Sequence, residues 1–72
     1  MSDKKQLRAQ KAELESVKME IARLTDCLDE AYFHFNSTTD RDALDACIFE
    51  IGALRSRLNA AYKHGKDKLG QN

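Results

Sequence analysis

The chain has no proline and no tryptophan, and only three glycines and two cysteines among its 72 residues. Each scarcity excludes something. Without proline, nothing deletes a backbone donor or clashes with a preceding turn, so long uninterrupted helices are allowed. Two cysteines fall far below the density of a disulfide-stapled domain and suit a reducing compartment. No run approaches the roughly 18 apolar residues that a membrane span needs, and Met1 to Gln6 lack the apolar segment of a secretory leader. A cytoplasmic location is expected. The formal net charge is zero, which argues against a generic nucleic-acid binder.

What the chain does have is charge and helix-forming residues. One third of it is Asp, Glu, Lys or Arg, a composition typical of long helices. From Leu7 the apolar residues fall at Leu14, Val17, Ile21, Leu24, Leu28, Ala31 and Phe35, alternating steps of three and four apart from one gap where Gln10 or Lys11 would sit. This is the a/d stripe of a heptad pattern. With Leu7 at a, Lys11 and Lys18 take e and Glu13 and Glu20 take g, the charges expected beside a helix-helix seam. A second stripe runs through Leu44, Cys47, Ile51, Leu54, Leu58 and Ala61.

Between the stripes lies Asn36-Ser37-Thr38-Thr39-Asp40. Asn36 and Ser37 break helices by bonding to local backbone, and Thr39 is a fitting N-cap, with Asp42 completing a capping-box-like pair. The spacing predicts helix 1 over about residues 4–35, a turn at 36–39, helix 2 over about 40–64, and a frayed tail at 65–72. Gly65 would supply the left-handed stop. The fold class is all-α, one antiparallel two-helix hairpin resembling a coiled coil. A fold midway between Ser37 and Thr38 would face Ala31 with Leu44, Leu28 with Cys47, Leu24 with Ile51, Ile21 with Leu54, Val17 with Leu58, and Leu14 with Ala61. Six apolar layers match in that register.

So short a chain rarely buries enough apolar surface to be comfortable alone. Helix 2 is also more apolar than one seam requires. Ile48 and Tyr62 occupy e, and an opposite line holds Ala46, Phe49, Ala53, Ser56 and Ala60. A helix apolar on two sides usually has two neighbours. Phe33 with Ala46, Phe49, Ala53, Ser56 and Ala60 is therefore the expected partner interface, and a homodimer forming a four-helix bundle is the simplest occupant.

Candidate chemistry is thin. Cys27 and His34 lie seven residues apart on one helix, about 10.5 Å along the axis, too far to share a metal ion. Cys27 and Cys47 fall at similar levels, but packed helix axes stand ~8–10 Å apart and a disulfide wants Cα atoms within ~7 Å, so free thiols are expected, Cys27 the more reactive. Asp26, Asp29, Glu30, Asp40, Asp42 and Asp45 gather near the turn, where capping and a solvated acidic face account for them without a pocket for acid-base catalysis. No catalytic, cofactor or metal site is expected, and the protein is read as no enzyme.

Charge is distributed unevenly. Lys4, Lys5, Arg8 and Lys11 against Asp3 give residues 1–11 a charge of +3, and Arg55, Arg57, Lys63, Lys66 and Lys68 against Asp67 give residues 55–72 a charge of +4. The middle carries the compensating −7. A hairpin would therefore be basic at its open end and acidic at its turn. The asymmetry fits antiparallel self-association. It also leaves open a phosphate-directed binder, of nucleic acid or an anionic membrane surface, through a basic tip of Lys4, Lys5, Arg8, Arg57, Lys63 and Lys66. A small inhibitor or adaptor docking on a larger protein is a third reading.

Residues 29–66 carry Phe35-Asn36 leading into Thr39-Asp40, then Leu44-Asp45, Ile48-Phe49-Glu50, and Asn59 followed by Lys63 and Lys66. In these the second half of the chain resembles the YaaL-like family of small uncharacterised bacterial proteins. The resemblance implies a small cytoplasmic helical protein and assigns no activity.

Overall fold

The computed structural model describes residues 2–69. Within them two helices, α1 (Ser2–Ser37) and α2 (Arg41–Leu69), pack against each other, and there is no strand. The chain is thus the all-helical hairpin that its two stripes require. At ~1.5 Å per residue α1 is about 54 Å long, and the molecule is a rod of 60 × 15 × 11 Å.

Both helices outrun their expected limits. α1 passes through Asn36 because Ser37 does not compete with the helix: its Oγ donates to the Phe33 carbonyl at 2.7 Å, the i−4 bond that a helical serine can make. The Thr38 N–H then closes the last turn on the His34 carbonyl at 3.1 Å. The connector is Thr38-Thr39-Asp40, later than residues 36–39. Asp40, not Thr39, caps α2. Its Oδ2 accepts from the Ala43 N–H at 3.1 Å, its carbonyl accepts from the Leu44 N–H at 2.9 Å, and its own N–H donates to Thr38 Oγ1 at 3.3 Å. A carboxylate there also meets the positive end of the helix dipole. The third helical position is then Ala43, which has no side chain to return the bond, so the Thr39/Asp42 box does not form.

The later break resets the register. Residues equidistant from Thr39 now lie level, and the six buried apolar residues make three such pairs: Val17 with Ala61, Leu24 with Leu54, and Ala31 with Cys47. Val17 checks this independently. Its Cγ1 lies 3.2 Å from where a Cβ on Gly65 would stand. This register sets Gly65 level with Glu13, one turn or about 6 Å from Val17, whereas folding between Ser37 and Thr38 would set it level with Gln10, about 10 Å from Val17. The layers expected from the sequence are therefore displaced by half a heptad. Stripes that alternate steps of three and four still match apolar to apolar after such a slip, so the pattern could not choose between registers. The connector's length chose.

α2 also continues through Gly65 to Leu69. No described glycine has a positive φ, so Gly65 is not a left-handed stop. It is helical and half-buried against α1. Of the expected frayed tail, residues 65–69 are helical, and residues 70–72 lie outside the described residues. Leu7, on the α1 stripe but lying past the level of Leu69, is 58% exposed.

Candidate interaction surface

Heptad position decides burial along the whole seam. The d residues Val17, Leu24, Ala31, Cys47, Leu54 and Ala61 are buried. The a residues Leu14, Ile21, Leu28 and Phe35 of α1, and Leu44, Ile51 and Leu58 of α2, are only half-buried. Around a helix the a row is flanked by e and the d row by g, so the two helices close over their d rows and leave their a rows open on the e side. The e residues there include Tyr32, Ile48 at 55% exposed and Tyr62 at 54%. A helix apolar at a, d and e is the pattern of one that faces a bundle core, and this hairpin buries only part of it.

The open face is not uniform along its length. Near the open end, Leu14, Val17, Lys18, Ile21, Tyr62 and Gly65 enclose a depression of about 350 Å³. Gly65 packs closely there, since a Cβ on it would stand 3.2 Å from Val17 Cγ1. Near the turn the same face carries the larger half-buried side chains Phe35 and Leu44 with Tyr32 and Ile48 beside them. Lys11, Lys18 and Lys66 border the hollow end, and Asp29 and Asp45 border the turn end; Glu15 and Arg41 run against this trend. Residues 26–50 as a whole carry Asp26, Asp29, Glu30, Asp40, Asp42, Asp45 and Glu50 against Arg41, a charge of −6.

The interface expected from the sequence is distributed differently. Phe33 (67% exposed) and Phe49 (80% exposed) both sit at f, opposite the seam on their own helices, and so lie on opposite outer sides of the rod. Phe33 meets the His34 ring edge-on with centroids 6.0 Å apart. Ala46, Ala53 and Ala60 line the outer c row of α2 with Ser56 beside them, all exposed. Alanine is the best helix former, and an exposed alanine row serves helix propensity. The sequence signal for the other face was the e row, where Tyr32, Ile48 and Tyr62 recur beside a.

The basic residues do not converge on one spot. Lys4, Lys5 and Arg8 stand on the part of α1 that extends past Leu69, Lys63 and Lys66 lie level with residues of the third and fourth turns of α1, and Arg57 lies level with Ile21 beside Glu20. From Lys4 to Arg57 this spans about 25 Å along the axis. Lys18 pairs with Glu15 at 3.7 Å and His34 with Glu30 at 3.9 Å, exposed contacts worth a few tenths of a kcal/mol at most. Cys27 is an exposed free thiol and Cys47 a buried one. Among the described residues no group of three or more His, Cys, Asp or Glu is placed to hold a metal ion, and no helix is long and apolar enough to cross a membrane.

No family model matches the chain, and no curated protein or solved structure matches it either.

Proposed function

We propose that this chain is a non-enzymatic, cytoplasmic protein-protein interaction module that acts as a homodimer, two hairpins forming a four-helix bundle. The observation that carries this reading is the open a row, seven apolar side chains held half-buried along one side of the rod. Surface area supports it. The chain exposes 6136 Å², against about 4500 Å² for a compact monomer of 8.2 kDa. The radius of gyration is 16.9 Å, where a compact chain of this length has about 11 Å. An excess of about 1600 Å² per chain is ample for a standard interface, which takes roughly 800 Å² from each partner. α2 contributes Ile48, Ile51, Leu58 and Tyr62 to that surface, and the kinship with the YaaL-like family proposed on Phe35-Asn36 and its companions adds no activity. Light scattering at micromolar concentration tests the reading: the expected mass is twice that of the chain, and a stable, fully helical monomer refutes it.

One observation favours a second reading. Lys4, Lys11 and Lys18 recur every seven residues on the e side of α1, a ridge that could follow a row of phosphates on nucleic acid or an anionic membrane. Retention on DNA, RNA or anionic vesicles at low salt, weakening steeply as salt is added, would support it. No retention at low salt excludes it. Docking as an inhibitor or adaptor on a larger protein would use the same open a row.

A further inference from the structure

We infer that the open a/e face is covered by a second copy of this chain lying end for end, so that the turn end of each hairpin fills the Gly65 hollow of the other. The inference rests on the self-association proposed above and adds the face, the direction and the fit.

Shape argues for inversion. Two hairpins that meet on this face about a twofold axis can align turn with turn or turn with open end. The first sets hollow against hollow and Phe35 of each copy against Leu44 of the other. The second, with the axis near the level of Leu24 and Leu54, brings Leu44 of one copy opposite Gly65 of the other, Phe35 opposite Leu14, and Ile48 opposite Tyr62. Bulk then meets space at both ends of the interface.

Charge argues the same way from separate residues. Turn-to-turn alignment doubles the −6 of residues 26–50 at one end and gathers the basic segments at the other. Inversion sets each acidic end beside a basic one and brings Asp45 level with Lys66 of the second copy, and Tyr32 level with its Lys18, within reach of a cation-π contact. Size is sufficient as well. The helices overlap over about 45 Å, at ~1.5 Å per residue, and the rod is 15 Å wide; roughly 700 Å² flat per copy approaches the ~800 Å² per partner of a standard interface. One residue opposes the arrangement: Arg55, at e near the axis, lies next to its own copy.

The test uses the full chain. Sedimentation equilibrium compares wild type with Ile48→Glu, Tyr62→Glu and Phe49→Glu, all at positions exposed in the hairpin so that folding survives, with helicity checked by circular dichroism. Ile48→Glu and Tyr62→Glu should each raise the dimer Kd by about 100-fold or more, the scale of a charge placed in a buried interface core, while Phe49→Glu leaves it unchanged. Zero-length carbodiimide coupling of mixed isotope-labelled and unlabelled chains should join Asp45 to Lys66. These lie about 31 Å apart within one helix, so such a link can form only between copies. A dimer abolished by Phe49→Glu and indifferent to Ile48→Glu overturns the face while self-association stands. A dimer sensitive to Ile48→Glu that yields no Asp45–Lys66 link overturns the inversion. A wild-type monomer at about 100 µM overturns this inference and the reading beneath it together.

Discussion

At the scale of residues, the two described glycines of α2 make a natural experiment in what space is for. Both sit in helical backbone, where glycine costs about 1 kcal/mol relative to alanine. A Cβ on Gly52 would meet nothing within 4 Å, whereas one on Gly65 would stand 3.2 Å from Val17 Cγ1. Valine on a helix is stiff at χ1 and yields poorly. Gly52→Ala should therefore raise stability by about 0.5–1 kcal/mol, the propensity gain with little opposing it. Gly65→Ala should show none of that gain, because crowding against Val17 cancels it. Urea denaturation followed by circular dichroism at low protein concentration, where the hairpin alone is observed, separates the two. Equal gains for both would mean that the Val17 contact is slack and that the hollow at the open end is not held by it.

At the scale of elements, the buried d row is the seam's main source of stability. Leu54 is the central buried side chain of α2, packed in the cluster of Leu24, Ala31 and Ala61 with Ile21, Leu28, Ile51 and Leu58 around it. Leu54→Ala should cost about 2–4 kcal/mol, most of what a two-helix chain of this size can hold, and should abolish cooperative unfolding by circular dichroism. Phe49→Ala, at a site 80% exposed, should stay within about 0.5 kcal/mol of wild type. This contrast was legible in the sequence, for every residue of the two stripes from Leu14 to Ala61 faces the seam as its spacing demands. Three things were not. The depth difference between a and d depends on how the helices roll about their axes, which the period does not encode. The register depended on whether the helix stopped at about residue 35 or ran on through Ser37, where the hydroxyl turns back to the Phe33 carbonyl. Gly65, read alone, has the composition of a helix stop. Only α1 lying opposite, long enough to keep α2 company to Leu69, makes it part of the seam. The surface proposed here for a second copy was half legible. The e residues Ile48 and Tyr62 stood out as surplus, but without the roll of the helices nothing favoured them over the alanine line on the outer side.

At the scale of the whole molecule, the long rod with opposite charges at its ends makes the sign of a salt effect diagnostic. The Debye length is about 10 Å at 0.1 M salt and about 3 Å at 1 M, so added salt removes interactions between separated charges while apolar contacts persist. In an inverted dimer the acidic turn end of one copy lies beside the basic open end of the other, and screening removes attraction. In a turn-to-turn dimer it removes repulsion. The Kd should accordingly rise several-fold between about 0.05 and 0.5 M sodium chloride if the copies are inverted, and fall if they are not. Thermal melts read the same quantity, because partner binding raises stability by about 2.7 kcal/mol when the chain is at 100 times its Kd, and each kcal/mol moves the midpoint of a domain this small by roughly 4–8 °C. The midpoint should climb by about 10 °C or more over two decades of chain concentration above the Kd, and the climb should begin at higher concentration in high salt. Arg55 refines the argument. It is the one charge that inversion places beside its own copy, so Arg55→Gln should tighten an inverted dimer at low salt and lose that advantage at high salt. A turn-to-turn dimer sets Arg55 opposite Thr25 and gives the change no such dependence.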